Sequence, residues 1–525
     1  MNRSVSVALM MSTLLLVSNR VFSQPGSKNF GRVWIQGQGL TYTTAFDSGT
    51  DPVNAISFLP QDHPPYLTRG NSNICDSAGN PVLISDGFSI YDKNLDIIDG
   101  GQDIVPYRII ALYGHSIVAQ SSIILPFGDG KYRIVTPTVS DDSCFYNWEQ
   151  AGNGAAFDLL LYSDVDMNAN SGDGKVTRRM VPLLENVRLS KTQMMACRHS
   201  DGVSWWLLKQ AADTNLVYKF LFTKDRVYGP YIQGFSGPAA RFGNWDIDGQ
   251  SAFSKDGSKY ATTIFGYGKV FVADFDRCNG MLSNPNVFKV PAQHVNVPFG
   301  PSFLDSSTTG LAFSPDARYI YVSGDYNVQQ FDLENPSPSQ AWTLLSGPDT
   351  TWDQFGLYSN IYSGPDDKVY IGNWNAFGAE MSVIDSPNNH GASASFCRKC
   401  LRFPGHLNQG VMRFAGVSIP PCMPNYQLGA ANPICYPTGV NAPEIQTAKF
   451  TLYPNPSPGT IRVMNSEAGT LQLYDMTGRT VTTFLLDSIT NGSSLSLGNL
   501  PPGVYQYRFA GRGGQQKSGK LIIIQ

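Results

Sequence analysis

The sequence places five oxygen-bearing side chains at nearly alternate positions within one short stretch, DVDMNANSGDG. They are Asp164, Asp166, Asn168, Asn170 and Asp173. Hard oxygen ligands two residues apart are how calcium-binding loops surround an ion, so the stretch is a candidate calcium site. An EF-hand loop needs glycine at its sixth position and an acid at its twelfth, where this stretch has Ala169 and Lys175. The alternative is a hairpin turn rich in Asp and Asn. No other cofactor is expected.

Three tryptophans lie beside Asp or Asn and close to Gly, in GNWDIDGQ, TTWDQFG and IGNWNAFG. The candidate ligand-binding residues there are Trp245, Asp246, Trp352 and Trp374. An aromatic ring next to an amide or carboxylate suits the face of a sugar or a protein hot spot. The alternative is that these tryptophans pack between repeats of the fold, because aromatic residues in repeats are mostly buried.

No catalytic pattern accompanies these residues. The sequence contains neither H-E-x-x-H nor G-x-S-x-G, and its six histidines are scattered along the chain. His199 in the stretch RHSDG could serve as a base only beside a nucleophile and an orienting acid. We therefore predict no catalytic residue. The net charge of −3 gives no electrostatic reason to expect binding to nucleic acid or to an anionic membrane.

Eight cysteines occur in a chain that is expected to be exported, where disulfides persist. Cys422 and Cys435 flank a loop rich in Pro and Asn, and we predict that they are bonded to each other. Cys397 and Cys400 form a C-x-x-C pair. No second pair of that spacing occurs, so zinc binding is not expected.

These residues belong to a repeated pattern of an apolar strand, a tight polar turn and a second apolar strand. Six such turns occur, 50 to 72 residues apart. Their equivalent positions are Gly79, Gly130, Gly202, Gly257, Ala317 and Asp367. A period of about 50 residues with several strands in each repeat is typical of a β-propeller. We predict an all-β fold of about seven blades, with the seventh built from residues 30–44 and a late strand. A row of β-sandwich modules is the alternative.

The two ends of the chain differ from this repeat. Residues 1–23 have a basic start and an apolar run, and they predict a signal peptide cut between Ser23 and Gln24. No later stretch is long and apolar enough for a transmembrane helix. We assign residues 24–418 to the propeller and residues 419–449, rich in Pro, Asn and Gly, to a linker. Residues 450–525 predict a small Ig-like β-sandwich that closes with the apolar strand of SGKLIIIQ.

The tail carries four spaced motifs: LYPNPSPG, LQLYDMTGR, LPPGVYQYRF and KSGKLIIIQ. In this order they resemble the type A C-terminal sorting domain of the Bacteroidota type IX secretion system. The matching positions are Pro454, Asn455, Pro456, Asp475, Gly478, Arg479, Gly503, Tyr505 and Lys520. The resemblance implies recognition by the outer-membrane translocon and cleavage by a surface sortase. It places the protein at the cell surface or outside the cell.

The preceding region resembles secreted Bacteroidota propeller proteins of undefined function, through stretches such as CRHSDGVSWWLL and FSPDARYIYVSGDYNVQQFDL. No catalytic residues come with that resemblance. We therefore expect an exported, non-enzymatic binding or adhesion module whose ligand is a glycan or a protein. The alternative is an enzyme that degrades polysaccharide or peptide, with convergent Asp, His or Arg side chains in the funnel of the propeller.

Overall fold

The structure is a computed structural model. It describes residues 28–37, 41–46, 56–59, 65, 67, 69–116, 118–150, 157–212, 214–235, 249–264, 267–296, 302–347, 358–373, 380–403, 406–408, 411–413, 420–435, 451–453, 455, 457–464, 468–475, 479–486, 493–498, 500–511 and 516–524.

Seven antiparallel sheets, which we number as blades 1 to 7, follow one another along the described part of residues 33–402. Blade 1 is β1 (Val33–Gln36), β2 (Thr41–Ala45) and β3 (Ile56–Leu59); blade 2 is β4 (Ser72–Cys75), β5 (Pro81–Ser85) and β6 (Ile90–Asp92). Blade 3 is β7 (Ile123–Pro126), β8 (Lys131–Thr138), β9 (Leu159–Asp166) and β10 (Lys175–Glu185); blade 4 is β11 (Leu189–Arg198), β12 (Trp205–Ala211), β13 (Leu216–Phe222) and β14 (Val227–Gly234).

The later blades are built in the same way. Blade 5 is β15 (Ser251–Phe253), β16 (Lys259–Ile264), β17 (Lys269–Phe275) and β18 (Leu282–Lys289), and a two-stranded sheet of β19 (Gln293–Val295) and β20 (Phe303–Asp305) follows it. Blade 6 is β21 (Gly310–Phe313), β22 (Tyr319–Ser323), β23 (Val328–Asp332) and β24 (Trp342–Ser346). Blade 7 is β25 (Tyr358–Ser363), β26 (Val369–Asn373), β27 (Glu380–Ile384) and β28 (Phe396–Arg402), followed by the pair β29 (His406–Asn408) and β30 (Val411–Arg413).

The described helices are short. They are α1 (Tyr107–Tyr113), α2 (Asp141–Ser143) with a π-helix at Cys144–Gln150, and 3-10 turns at Lys28–Gly31, Asn170–Gly172 and Gly391–Ala394. Within the described residues, no helix has the length and apolar character needed to span a bilayer.

The blades contact one another in order around a closed ring, mostly through their first strands. Strand β1 contacts β4, β4 contacts β7, and β15 contacts both β11 and β21, which in turn contacts β25. Blades 3 and 4 are joined where the indole N–H of Trp205 donates to the carbonyl of Pro126 at 3.1 Å. Blades 7 and 1 meet where the rings of Trp34 and Tyr370 lie edge to face, 5.2 Å apart. The fold is therefore a β-propeller of seven described blades, as predicted. Blade 1 takes its three described strands from residues 33–59, with no late strand among them.

The six predicted turn positions join the first and second strands of blades 2 to 7. All six have a left-handed backbone, with φ between 61° and 91°: Gly79, Gly130, Gly202, Gly257, Ala317 and Asp367. Glycine adopts this conformation without strain, which explains its use at four of the positions. Because equivalent turns of a propeller lie at one end of the ring, these turns define a single face, which we call the turn face.

The tail forms two sheets packed face to face. One contains β31 (Thr451–Tyr453), β32 (Thr460–Met464) and β35 (Ser493–Ser496); the other runs in the order β34 (Thr480–Leu486), β33 (Gly469–Tyr474), β36 (Gly503–Gly511) and β37 (Gln516–Ile523). Apolar side chains of both sheets, among them Ile461, Leu471 and Phe509, pack into one core. This arrangement is the β-sandwich that the sequence predicted.

Candidate functional site

Amide side chains line the axis of the propeller at its first strands. Blades 1 to 5 and blade 7 each place at least one there, and these are all buried: Gln36, Asn71, Gln120, Gln193, Gln250 and Asn360. The sequence interpretation missed them. A signal for them exists in the polar triplets that precede or begin the first strands, such as QSS before β7 and GQS before β15.

Two of these amides join blades that are not neighbours in the ring. The Gln120 side chain donates to the carbonyl of Ser251 at 2.8 Å and accepts from its backbone N–H at 2.8 Å, linking blade 3 to blade 5. The Gln250 carbonyl oxygen accepts from the backbone N–H groups of Leu311 and Ile361, at 3.2 and 2.9 Å, linking blade 5 to blades 6 and 7. These bonds cross the axis, so neutral side chains of the protein itself occupy part of the channel.

Residues 420–435, which we call the channel segment, pack against the first strands near the axis. The backbone N–H of Cys422 donates to the carbonyl of Asn71 at 2.8 Å. The Tyr426 hydroxyl donates to the carbonyl of Ile124 at 2.7 Å, and the Tyr426 side chain is only 2% exposed. Its ring packs edge to face on Trp205, with centroids 5.9 Å apart. The segment is thus anchored to blades 2, 3 and 4.

The channel segment then crosses the turn face towards the rim. The Asn425 amide donates to the carbonyl of Lys255 at 2.7 Å, and the backbone N–H of Ala431 donates to the carbonyl of Ser200 at 2.9 Å. The segment ends at a disulfide between Cys435 and Cys278, whose Cα atoms lie 5.8 Å apart.

Two sequence predictions change as a result. The predicted Cys422–Cys435 disulfide is wrong, because Cys422 is a free, buried thiol near blade 2 whereas Cys435 is bonded to Cys278 in blade 5. The linker predicted at 419–449 does not describe residues 420–435, which contact blades 2, 3, 4 and 5 and, through the Gln427 amide and the carbonyl of Pro365 at 3.3 Å, blade 7. Residues 436–449 lie outside the described residues.

A small cavity lies under the channel segment. Its volume is about 130 Å³, and its lining includes Trp34, Met195, Phe253, Phe313 and Met423. Pockets for small ligands usually measure about 300–1,000 Å³. The cavity is therefore too small for a sugar chain or a peptide.

His199 has a structural role at the turn face. Its Nε2 lies 3.0 Å from the carbonyl of Cys278, and its Nδ1 lies 3.0 Å from the backbone N–H of Asp201. The carbonyl accepts and the backbone N–H donates, so both ring nitrogens are engaged, and Nδ1 also lies 3.3 Å from the Asp201 carboxylate. This histidine therefore supports the turn beside the disulfide and has no free nitrogen to serve as a base.

The candidate calcium residues form a hairpin turn between β9 and β10. The carboxylate of Asp164 pairs with Arg133 through one oxygen, at 2.9 Å, and with Arg178 through the other. Asp166 accepts from the backbone N–H of Asn168 at 2.9 Å, as in an Asx turn. Among the described residues, no group of three or more Asp, Glu, His or Cys side chains could hold a metal ion. Because guanidinium groups take both oxygens of Asp164, the hairpin alternative fits this stretch and the calcium prediction does not.

The predicted ligand-binding residues Trp245, Asp246, Trp352 and Trp374 lie outside the described residues, so their role stays a prediction. The same holds for the predicted cleavage between Ser23 and Gln24, and for Pro454, Pro456 and Gly478 of the sorting motifs.

The first and last sorting motifs meet at the edge of the tail sandwich. Strand β37 pairs with β36 on one side only. On the other side, the Asn455 amide donates to the carbonyl of Lys520 at 2.7 Å and accepts from the N–H of Ile522 at 2.9 Å. Ser457 adds backbone bonds to Ile522 and Ile524, at 2.7 and 2.9 Å. The final strand is therefore held on both edges.

The two middle motifs shape turns of the same sandwich. Asp475 accepts from the backbone N–H of Arg479 at 3.1 Å and pairs with its guanidinium at 3.2 Å. The Tyr505 hydroxyl donates to the carbonyl of Pro501 at 2.7 Å, and Gly503 pairs with Ile523. In the last strand Leu521 and Ile523 are buried, whereas Ile524, directly after it, is 49% exposed. The motif residues described by the structure thus stabilise the tail and position its last strand.

Comparisons with known proteins agree on the tail. The family described as Secretion system C-terminal sorting domain matches residues 451–525. A comparison of the whole chain with curated proteins gives no match.

Solved structures resemble the propeller only loosely. A 6-phosphogluconolactonase-like protein from Bacteroides fragilis is 12% identical with a TM-score of 0.41, over 71% of this chain and 94% of its own. One from Bacteroides uniformis is 13% identical with a TM-score of 0.31, over 72% and 89%. The extracellular domain of a one-component system from B. thetaiotaomicron is 11% identical with a TM-score of 0.35, over 94% of this chain and 57% of that one. These TM-scores are all below 0.5, and the propeller fold of this chain is defined by its own seven sheets. Residues 451–525 are a type IX secretion C-terminal sorting domain, and this domain directs the β-propeller that precedes it to the cell surface or out of the cell.

Proposed function

We propose that this protein is a non-enzymatic binding module that holds a glycan or a protein ligand at the cell surface. The observation that carries the proposal is the occupied channel. Hydrogen-bonded amides and the channel segment fill the position in which a funnel enzyme would need convergent acids, histidines or arginines. The ligand is therefore expected on an outer surface of the ring.

The face opposite the turn face is the best supported surface. The channel segment already covers part of the turn face. Trp245 and Trp352 fall between a fourth strand and the next first strand, and Trp374 falls between a second and a third strand. In an antiparallel blade, the strand ends on both sides of such connections point away from the turn face. The described strands that flank these three segments therefore all end at the face opposite the turn face, which is why we propose this face for the ligand.

A glycan array and a surface-protein capture assay with the mature chain test this proposal. We expect Trp245→Ala, Trp352→Ala and Trp374→Ala each to weaken binding by about tenfold, because a lost aromatic anchor costs on the order of 1–2 kcal/mol. Ile434→Ala is the matched control, since Ile434 is 44% exposed on the turn face. Equal binding by all four variants would contradict the assignment of this face, and turnover of a bound glycan or peptide would favour the enzyme alternative.

We propose that the type IX translocon reads the tail and that a surface sortase removes it. Residues 447–525 fused to an inert exported reporter should carry the reporter to the cell surface. Deleting residues 520–525 should leave it in the periplasm, because the half of β37 that Asn455 holds is lost. Leu485→Ala is the control, because Leu485 is 82% exposed in the same sandwich. Surface delivery by the shortened tail would show that the sorting signal lies outside residues 520–525.

A further inference from the structure

The C-x-x-C pair lies in the outermost strand of blade 7, where the strand is irregular. Cys397 is opposite Val383, and Leu401 is opposite Met381. Three residues of β28 therefore face Ser382 alone, which makes a bulge of two extra residues. The backbone of Lys399 is left-handed, with φ of 51°, and its N–H donates to the Ser382 hydroxyl at 3.0 Å.

The bulge changes the direction of one thiol. In a regular strand, residues three apart point to opposite faces. Here the Cys400 thiol donates to the carbonyl of Cys397 at 3.4 Å and also contacts the Cys397 thiol. Both cysteines are half-buried, so small oxidants can reach them, whereas Cys75, Cys144, Cys197 and Cys422 are buried. The pair is therefore distinct from the other free thiols that the structure describes.

We propose that Cys397 and Cys400 form a dithiol–disulfide site that is closed by exchange with an external disulfide. The thiolate of Cys397 attacks one sulfur of the oxidant R–S–S–R, which gives a mixed disulfide and releases one R–S⁻. The Cys400 thiol then loses its proton and attacks the Cys397 sulfur, which releases the second R–S⁻. Overall, two protein S–H bonds and the S–S bond of the oxidant break. One protein S–S bond and two R–S–H bonds form, because each released R–S⁻ takes up one of the protons that the cysteines lost. The protein dithiol is oxidised by two electrons, and R–S–S–R is reduced.

The surroundings of the pair set this order of attack. The Cys400 thiol donates its proton to the carbonyl of Cys397 at 3.4 Å, and burial, followed by the contact with Cys397, raises the pKa of that thiol to about 12, so Cys400 keeps its proton at neutral pH. Cys397 is therefore the first nucleophile, and Cys400 resolves the mixed disulfide. Closure would fix the bulge, which protects the outer edge of blade 7 against pairing with another strand.

The test exposes the full chain, mildly reduced so that the Cys278–Cys435 disulfide stays closed, to oxidised glutathione, followed by alkylation and mass spectrometry. We expect the wild-type protein to lose two alkylatable thiols, to lose two hydrogens in mass and to retain no glutathione. Cys400→Ser should retain one glutathione on Cys397, because no resolving thiol remains. Cys397→Ser should react about tenfold more slowly, because its remaining thiol is largely protonated. Cys144→Ser is the control and should close like the wild type.

A second measurement does not depend on the cysteine variants. Amide exchange of residues 398–401 should slow after closure and recover after mild reduction. The proposal is overturned if both thiols stay alkylatable, if each takes up its own glutathione, or if amide exchange at the bulge does not change.

Discussion

The buried tyrosine of the channel segment offers the most direct test of how the propeller is held together. Tyr426→Phe removes a hydroxyl that donates to the carbonyl of Ile124 at 2.7 Å. Leaving a buried polar group without its partner costs about 1–3 kcal/mol. Tyr426→Ala also removes a ring that is 2% exposed and packs on Trp205 and Phe30. Truncation of a buried aromatic residue costs about 3–5 kcal/mol. The free energy of unfolding should therefore fall in two steps.

Urea unfolding of the full chain, followed by tryptophan fluorescence, measures both steps. The transition of the propeller should move to lower urea with an unchanged slope, because the surface exposed on unfolding stays nearly the same. Tyr107→Phe and Tyr107→Ala are matched controls, since Tyr107 is 73% exposed and its replacement should change stability by less than about 0.5 kcal/mol. If Tyr426→Ala costs no more than Tyr107→Ala, the segment does not stabilise the channel.

The remaining predictions concern a buried lysine, the disulfide between Cys278 and Cys435, and the edge of the tail sandwich. Lys209 is fully buried, and burial holds its pKa well below 10.5, so the folded protein releases this proton at a lower pH than the unfolded chain does. The free energy of unfolding should therefore rise with pH between the pKa of Lys209 in the folded state and about 10.5. Urea unfolding at pH 7 and pH 9 measures this rise, which should be smaller in Lys209→Met. Replacing Cys278 and Cys435 together by Ser should lower the unfolding free energy by about 5 kcal/mol in the chain-entropy model, since their bond closes a sequence separation of 157 residues. Unreduced peptide mapping of the wild type should recover this pair, and recovery of any other partner for Cys435 would contradict it. Asn455→Ala should cost about 1 kcal/mol in the tail and speed amide exchange at Ile522, and unchanged exchange there would mean that the side chain does not hold the last strand.

Local chemistry was enough to predict the repeat. A tight turn that exits left-handed selects Gly, or a small or Asx residue, at one position, so Gly202, Gly257 and Ala317 identified their turns without any knowledge of the ring. The tail was similarly predictable, because its motifs lie at turns and strand ends with their own backbone requirements. Short-range patterns of this kind can be recognised from a few neighbouring residues.

The tertiary structure alone decided which distant residues meet. Cys435 lies 13 positions from Cys422 and 157 from Cys278, and only the path of the channel segment across the turn face makes the longer pairing the real one. Asp164 looked like a calcium ligand until the fold brought Arg133, 31 residues away, to its carboxylate.

Contacts between distant residues also decide the channel and the edge of the tail sandwich at which the first and last sorting motifs meet. Gln120 and Ser251 are 131 residues apart, and Asn455 and Ile522 are 67 apart, yet each pair is hydrogen-bonded. Each amide is an ordinary polar residue in its own stretch of sequence, and its partner is set by the closure of the ring or of the sandwich. The sequence determined the repeat, the tail and the export route, because these depend on local backbone and side-chain preferences. The filled channel and the held final strand depend on contacts between residues far apart in the chain, so only the folded structure could decide them.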